Sequence, residues 1–365
     1  MRTIVIKKDC WRGSDASDMA KTQTWRKYLA PLVATGLLTS TSIAAQSDAR
    51  ITEETLHIQG PIKGLKLGLR HASATSPATQ AARPVVLILH GAGAPVAGNP
   101  DFVLGDHSLM TSLAEKGLDV WALDYYGFGE SDRYPEMSEA ADAHPPLGRA
   151  EECADQVDAV TAFLKRNRHS GRIMLIGDSG GSLVAGVFAT RRPDLVSRLV
   201  LFGPETPFTE GPPTNAVLPA YIDIAPADLW GQFAAWSQAV GKPDVLDANA
   251  YQLWAETYLH SDPTSATRRP PTVRVPNGRQ ADTADIERGR FTYDPGAIRA
   301  PTLIVIGEFD AIATLPGAEW LLKSLRQAPE RRLVVIGHGS HTIQYESERK
   351  QLYHVVADFL NEREQ

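Results

Sequence analysis

A serine in a glycine-rich turn is the residue of this sequence best suited to nucleophilic chemistry. Ser179 lies in the run Gly-Asp-Ser-Gly-Gly at 177–181, which matches a G-x-S-x-G pattern between an apolar strand and a helix. Small neighbours permit the tight turn that holds a serine side chain out at strained backbone angles. A serine hydroxyl is a weak nucleophile at neutral pH, so this hypothesis requires a general base and an acid that orients the base.

Candidates for the base and the acid follow the serine in the chain. Asp310 comes just after a predicted strand at 302–306, and His341 comes just after a predicted strand at 332–336. The order Ser, Asp, His is the one that accompanies this type of serine turn. We therefore predict a catalytic triad of Ser179, His341 and Asp310.

Two members of this triad have rivals. His338 is three residues from His341 and is an alternative base. Glu205 is an alternative acid because it follows another predicted strand, whereas Glu308 is expected to face solvent. We favour Asp310 as the acid and His341 as the base.

The serine turn also has two competing interpretations. The same Gly-Asp-Ser-Gly-Gly run resembles the surroundings of the nucleophile in trypsin-like proteases. Those proteases are β-barrels in which the catalytic His and Asp precede the Ser, whereas here the candidate His follows it. A glycine-rich turn without catalysis is the other interpretation. Partners in the right chain order argue against it.

A serine nucleophile of this kind also needs two backbone N–H donors for the oxyanion. One usually belongs to the residue after the nucleophile, which is Gly180. The other belongs to the loop after an earlier strand, here the loop at 90–94 after the predicted strand 84–89. We predict Gly180 and Ala92 as the donors, with Gly93 in reserve. This chemistry implies no metal and no organic cofactor.

The elements that would position these residues alternate between strand and helix. Near-continuous apolar runs, as in parallel strands buried on both faces, occur at 84–89, 118–123, 172–176, 197–202, 302–306 and 332–336. Helices are predicted between them at 103–116, 150–168, 182–191, 317–324 and 346–360. The pattern predicts an α/β fold with a mostly parallel central sheet flanked by helices and functional residues at the carboxyl ends of the strands. An antiparallel hairpin over 56–71 is expected at the sheet edge.

The alternation is interrupted over 205–300, a stretch rich in Pro, Ala, Trp and Tyr. This stretch is too long for a structureless loop in a compact domain. We predict an inserted, mainly helical lid there, with a mobile tail near 264–285. The insertion divides the core into a first part, 46–204, and a second part, 301–365.

The N-terminus has the residue order of a secretory signal peptide. Basic residues between 21 and 27 precede an apolar stretch at 28–38 and small residues that end near Ala45. The apolar stretch is too short to span a membrane stably. We assign 1–45 to a signal peptide with an extra N-terminal segment, 1–18, which we leave out of the fold, and we expect a periplasmic or extracellular protein.

Bulk composition narrows the function classes. The 365 residues are 43% hydrophobic and 22% charged, which is ordinary for a folded, water-soluble enzyme. The net charge is −6, and removal of residues 1–45, which hold seven Lys/Arg and three Asp/Glu, would make it about −10. Cys10 and Cys153 provide no disulfide framework or zinc motif. We expect a small-molecule substrate, no nucleic-acid partner and no stable membrane insertion.

These motifs together resemble the lid-bearing branch of the α/β-hydrolase family over about 55–360. The run Asp-Tyr-Tyr-Gly-Phe-Gly-Glu-Ser at 124–131 resembles the family's Asp-x-x-Gly-x-Gly-x-Ser loop, which has a structural role. The run at 339–346 resembles the family's His followed by a helix, which favours His341. Epoxide hydrolases and dehalogenases of the family use an Asp nucleophile where this chain has Ser179. Proline iminopeptidases have Gly-Gly-Ser-Trp-Gly at the turn, which this chain does not match.

The resemblance implies hydrolysis of a carboxylic ester through an acyl-enzyme intermediate. The aromatic content of the predicted lid suggests a substrate with an apolar or aromatic part. An amidase, a peptidase or a hydrolase of carbon-carbon bonds would use the same residues, and a non-catalytic binding protein on this scaffold is a further alternative. The role of Asp178 is open between a hydrogen bond in the turn and simple exposure to solvent.

Overall fold

A computed structural model describes residues 2–6, 50–75, 83–168, 171–208 and 217–362. The predicted signal peptide lies outside these ranges except for residues 2–6. Among the described residues, no helix combines the length and the apolar character needed to cross a membrane.

Eleven strands are present in the described ranges. In chain order they are β1 (Arg2–Ile6), β2 (Arg50–Gln59), β3 (Lys66–Thr75), β4 (Val85–Leu89), β5 (Asp119–Asp124), β6 (Ile173–Asp178), β7 (Val196–Phe202), β8 (Tyr221–Ile224), β9 (Val273–Pro276), β10 (Thr302–Gly307) and β11 (Arg331–Ile336). The central sheet has the order β1-β11-β10-β7-β6-β4-β5-β3-β2, and β8 pairs with β9 in a separate sheet.

Eight α-helices accompany these strands in the same ranges. They are α1 (Leu109–Glu115), α2 (Ala150–Arg168), α3 (Gly180–Arg191), α4 (Pro226–Ala239), α5 (Ala250–His260), α6 (Gly278–Glu287), α7 (Leu315–Ser324) and α8 (Arg349–Asn361). The six predicted parallel strands correspond to β4, β5, β6, β7, β10 and β11. The predicted α/β fold with a mostly parallel sheet flanked by helices is confirmed.

The hairpin at the sheet edge is longer than its sequence pattern indicated. Strands β2 and β3 pair in antiparallel register from Arg50 opposite Thr75 to Gln59 opposite Lys66. Strand β3 also pairs antiparallel with β5, so the hairpin joins the parallel part of the sheet on one side only. Strand β2 therefore forms one edge of the central sheet.

The opposite edge contains residues that the sequence analysis left out of the fold. Strand β1 pairs in parallel with β11, and Ile4 lies opposite Val334. The run Thr-Ile-Val-Ile at 3–6 is rich in β-branched residues, which suit a strand. Leaving the whole of 1–18 out of the fold was therefore wrong for this short run.

The core lies on both faces of the sheet because its strands alternate side chains between two apolar clusters. On β4, Leu87 and Leu89 belong to one cluster, while Val86 and Ile88 belong to the other. All four side chains are buried. Burial on both faces explains why these strands read as continuous apolar runs.

The insertion over 205–300 is not purely helical. It contains α4, α5 and α6, but also the antiparallel pair β8 and β9, in which Tyr221 lies opposite Pro276. The predicted mobile tail at 264–285 was wrong, since this stretch holds β9 and the first part of α6. We call the segment 217–300 the lid.

Aromatic packing attaches the lid to the core. The indole of Trp254 in α5 donates a hydrogen bond to the Gly98 carbonyl over 2.9 Å, and the Tyr345 hydroxyl donates to the same oxygen over 2.6 Å. Trp230 and Phe233 of α4 pack against both rings. The lid aromatics therefore continue one apolar cluster of the central sheet into the lid.

Candidate active site

Ser179 lies in a strained turn between β6 and α3. Its backbone has φ +49° and ψ −119°, a conformation that non-glycine residues rarely adopt. The turn requires glycines on either side, because a Cβ at Gly177 would lie 2.6 Å from the Gly181 carbonyl oxygen and a Cβ at Gly181 would lie 2.7 Å from that of His90. The sharp turn presents the Ser179 hydroxyl at the carboxyl end of the sheet.

The structure brings the three predicted triad residues into one hydrogen-bonded chain. Nε2 of His341 lies 2.9 Å from Oγ of Ser179, and Nδ1 lies 3.0 and 3.1 Å from the two carboxylate oxygens of Asp310. Each residue follows a strand of the parallel sheet, which explains their proximity. This arrangement allows the imidazole to accept the serine proton while the carboxylate holds its other nitrogen protonated.

Asp310 is itself held in place by backbone donors. Its Oδ1 accepts hydrogen bonds from the N–H groups of Ile312 and Ala313 over 2.8 and 2.7 Å. These bonds restrict the rotation of the carboxyl group. Asp310 therefore presents its oxygens to Nδ1 of His341 in a fixed orientation.

Neighbouring charges set the proton affinity of His341. Its side chain is only 3% exposed, and this burial acts to lower the pKa. The adjacent Asp310 carboxylate outweighs burial, with help from Asp178 and Glu205, so the pKa of His341 is raised above its ordinary value. These neighbouring carboxylates would stabilise a protonated His341 if it accepted the serine proton.

The alternative base and the alternative acids of the sequence analysis do not form hydrogen bonds with Ser179 or His341 among the described residues. His338 and Glu308 are exposed, and the backbone N–H of His338 donates to the Glu308 carboxylate over 3.1 Å. Glu205 is completely buried and forms an ion pair with Arg279 of α6. Among the described residues, Asp310 is the carboxylate hydrogen-bonded to His341.

Asp178 is buried rather than exposed to solvent. Its Oδ2 accepts a hydrogen bond from the side-chain amide of Asn99 over 2.5 Å. Burial raises the pKa of Asp178 to about 6, although the Asn99 bond opposes that shift. Of the two roles left open by the sequence, the structure favours the hydrogen-bonded one.

The predicted oxyanion donors lie on either side of Ser179. Gly180 opens α3, where the first N–H groups have no partner inside the helix and the helix dipole favours negative charge. Ala92 belongs to the loop after β4 and lines a cavity that contains Ser179. The loop passes close to the serine, since a Cβ at Gly91 would lie 3.1 Å from Cβ of Ser179.

The loop at 124–131 has the structural role that its pattern indicated. Oδ1 of Asp124 accepts from the backbone N–H of Val96 over 2.8 Å, and Oδ2 accepts from that of Glu130 over 3.0 Å. The Ser131 hydroxyl bonds back to the Asp124 carbonyl. Asp124 thus ties the segment after the Ala92 loop to the end of β5.

A second carboxylate organises the loop that carries His341. Glu346 is completely buried and accepts hydrogen bonds from the N–H and hydroxyl of Ser340, over 3.0 and 2.5 Å, and from the hydroxyl of Thr342 over 3.4 Å. Burial raises its pKa to about 7. Glu346 thus fixes the residues immediately before and after the imidazole.

A small cavity of about 140 Å³ lies between the core and the lid. Ser179 and His341 line its core side, and its lid side is lined by apolar and polar residues that include Leu229, Trp236, Val275, Asn277 and Arg279. Sites for drug-sized ligands usually measure about 300–1,000 Å³. This cavity therefore suits a small substrate group.

Sequence reasoning missed three residues around this cavity. Trp236 of α4 contacts the imidazole ring, Asn99 contacts Asp178, and Arg279 contacts Glu205. The sequence showed Trp236 as one of several aromatic residues in the predicted lid and gave no sign of its contact with His341. Arg279 fell in the stretch predicted to be a mobile tail, so no local signal could assign it to the site.

Known proteins share this architecture. Residues 84–348 match the model of the alpha/beta hydrolase fold family. The thioesterase domain from the curacin biosynthetic pathway is 18% identical, with a TM-score of 0.56 over 85% of this chain and 99% of that domain. The esterase EaEST from Exiguobacterium antarcticum is also 18% identical, with a TM-score of 0.56 over 85% of this chain and 100% of the esterase.

A third similar structure is a variant of the meta-cleavage product hydrolase CumD. It is 20% identical, with a TM-score of 0.57 over 84% of this chain and 98% of CumD. At these identities the three structures share the fold, and fold alone does not transfer a substrate. The family model covers well over half of the sequence. The chain belongs to the α/β-hydrolase fold family.

Proposed function

We propose that this protein hydrolyses carboxylic esters through an acyl-enzyme intermediate on Ser179. The observation that carries the proposal is the continuous hydrogen-bonded chain from the Ser179 hydroxyl through His341 to Asp310. The strained backbone at Ser179 supports it, because strain of this kind persists where the surrounding structure holds a functional residue in place.

The reaction follows from this geometry. Nε2 of His341 accepts the proton as Oγ of Ser179 attacks the ester carbonyl, and Asp310 stabilises the resulting imidazolium. The N–H groups of Gly180 and Ala92 bind the oxyanion of the tetrahedral intermediate. His341 then protonates the departing alcohol. Water, activated by the same imidazole, attacks the acyl-enzyme and releases the acid.

The cavity supports a substrate with a small acyl group. Its volume of about 140 Å³ is close to the roughly 150 Å³ of an engineered cavity that holds benzene. Leu229, Trp236 and Val275 provide apolar surface along one side. We therefore expect short acyl chains to be cleaved faster than long ones.

A series of p-nitrophenyl esters with acyl chains of two to twelve carbons tests this proposal. We expect kcat/KM to be highest for short chains, with Ser179→Ala abolishing turnover of all of them. The exposed Ser138→Ala variant controls for handling and folding. Turnover that persists in pure Ser179→Ala, or wild-type protein that cleaves no ester, would contradict it.

We also propose that the chain is exported and loses residues 1–45. The support is the order of basic, apolar and small residues before Ala45. Cleavage there would remove β1 and leave β11 as the sheet edge, with Arg331 and Arg332 at its start. Charged residues protect such an edge against pairing with other chains.

Intact-mass measurement of the protein from each cell fraction tests the export. A chain that begins near residue 46, in the periplasm or medium, is expected. A full-length chain that stays in the cytoplasm would show that residues 1–45 are retained.

A further inference from the structure

Arg279 occupies an unusual place in the cavity beside Ser179. Among the described residues that line this cavity, it is the only one with a permanent charge. Its side chain crosses the start of α3, since a Cβ at Gly180 would lie 2.7 Å from Cδ of Arg279. The guanidinium is therefore close to the bond that Ser179 would attack.

The arginine is anchored from the side away from solvent. Nε of Arg279 forms an ion pair with the completely buried Glu205, and Nη1 donates a hydrogen bond to the Thr283 hydroxyl. The Thr283 hydroxyl also lies 3.2 Å from the second Glu205 oxygen. Glu205 balances the charge of the arginine, and the Thr283 hydroxyl restrains the position of its Nη1.

Part of the guanidinium is left unused. The group has five N–H donors, and its planar fork matches the two oxygens of a carboxylate. Within the part of the chain that the structure describes, Nη2 has no hydrogen-bond partner. The side chain is 20% exposed, whereas the Glu205 side chain is not exposed. The two N–H groups of Nη2 are thus available as donors on an arginine that lines the cavity and is already held in position.

We propose that Arg279 binds a carboxylate carried by the acyl part of the substrate, so that monoesters of small dicarboxylic acids are preferred over neutral esters. The cavity that Arg279 lines also contains Ser179 and Ala92, so a carboxylate bound to Arg279 would lie a short distance from the ester carbonyl. This inference rests on the proposed ester hydrolysis. The small cavity limits the diacid to a few carbons.

Two esters with five acyl carbons test the preference, monomethyl glutarate and methyl pentanoate. Arg279→Gln is expected to lower the ratio of their kcat/KM values, acidic over neutral, by about 10-fold to 100-fold, because a hydrogen bond to a charged group is lost. The lower ratio should arise mainly from a higher KM for monomethyl glutarate. Arg288→Gln, at the other end of α6, is the matched control and should leave the ratio unchanged.

Folding must be controlled separately, because Arg279→Gln leaves the buried Glu205 without its cation. The double variant Glu205→Gln/Arg279→Gln removes both charges and should show the same change in the ratio. A ratio that stays at the wild-type value in both variants would overturn the proposal. Equal loss of activity on the two esters would also overturn it, since that pattern assigns Arg279 to the transition state of every ester.

Binding of free glutarate to Ser179→Ala separates this proposal from the proposed function. Calorimetry should detect binding that disappears when Arg279→Gln is added. If wild-type protein cleaves neither ester but this Arg279-dependent binding is present, ester hydrolysis is wrong and the carboxylate site stands. If glutarate does not bind and the ratio of kcat/KM values does not depend on Arg279, the carboxylate site is wrong.

Discussion

The indole of Trp236 stands edge-on to the imidazole of His341, with ring centroids 4.7 Å apart and planes at 83°. This contact joins lid helix α4 directly to the residue that would act as the base. It also shields one side of the imidazole from water. Because burial lowers the pKa of a histidine, the lid helps to set the pH at which His341 is neutral.

Removal of this indole should change the pH dependence of activity. In Trp236→Ala, water reaches His341, the effect of burial weakens, and the pKa of His341 rises further. The acid limb of kcat/KM against pH reports the base in the free enzyme, so it should move to higher pH. Trp236→Phe keeps an aromatic ring there and should retain the wild-type limb. An acid limb that moves to lower pH in Trp236→Ala contradicts this account.

Gly203 is a second close neighbour of the His341 imidazole and tests its placement. Its φ is +53°, and a Cβ there would lie 3.0 Å from Cε1 of His341. Gly203→Ala should displace the imidazole by a few tenths of an ångström and lower kcat by roughly 10-fold to 100-fold, with the fold retained.

Gly64→Ala is the control for Gly203→Ala. Gly64 also has a positive φ, +89°, but a Cβ there meets no atom within 4 Å. It carries the same kind of backbone strain far from the site. If both variants lose the same fraction of kcat, the loss at Gly203 reflects strain rather than contact with His341.

The assignment of Asp310 predicts a large and specific effect. Asp310→Asn removes the charge that orients and stabilises the imidazolium, and kcat should fall on the order of 10⁴-fold, as in Ser-His-Asp proteases. Glu308→Gln changes the neighbouring exposed acid and should leave kcat unchanged. Steady-state kinetics of both variants on the p-nitrophenyl ester that the wild-type protein cleaves fastest decides between Asp310 and Glu308 as the acid. A larger loss in Glu308→Gln would show that the wrong acid has been assigned.

Glu346 predicts a dependence of stability on pH. Its pKa is about 7 in the folded protein and near 4.5 in the unfolded chain, so the folded state binds more protons between these values. The contribution of Glu346 to the free energy of unfolding is therefore present below pH 4.5 and lost as the pH rises through 7. A difference of this size corresponds to about 3 kcal/mol.

Urea unfolding at pH 5 and pH 7.5 measures this contribution. Glu346→Gln should reduce the loss of stability between the two pH values relative to wild type. Glu319→Gln, in exposed surface on α7, should retain the wild-type difference. An unchanged difference in Glu346→Gln would mean that the buried carboxylate does not titrate in this range.

Local patterns predicted the six central parallel strands and most helices of the core. Helix α2 spans 150–168, as its apolar spacing predicts, and β10 extends the predicted strand by one residue. Helix α1 is shorter than the predicted 103–116, because Ser108 caps it in a mutual exchange of hydrogen bonds with Thr111.

Local sequence patterns could not predict the long-range pairing of strands in the lid. Strands β8 and β9 have four residues each and are separated by almost fifty residues of chain, so neither shows which partner it will pair with. The contact between Glu205 and Arg279 likewise spans more than seventy residues. By contrast, Ser179, Asp310 and His341 each follow a strand of one parallel sheet, so their shared edge could be predicted from element order.

Mass spectrometry after exposure to a fluorophosphonate tests the central claim most directly, because the reagent reports an activated serine without any assumption about the substrate. We predict one adduct per chain, mapped to the peptide that contains Ser179, and no adduct in Ser179→Ala. Labelling should slow sharply in His341→Ala, which lacks the base. A folded wild-type protein that stays unlabelled, or an adduct on another serine, would contradict the account.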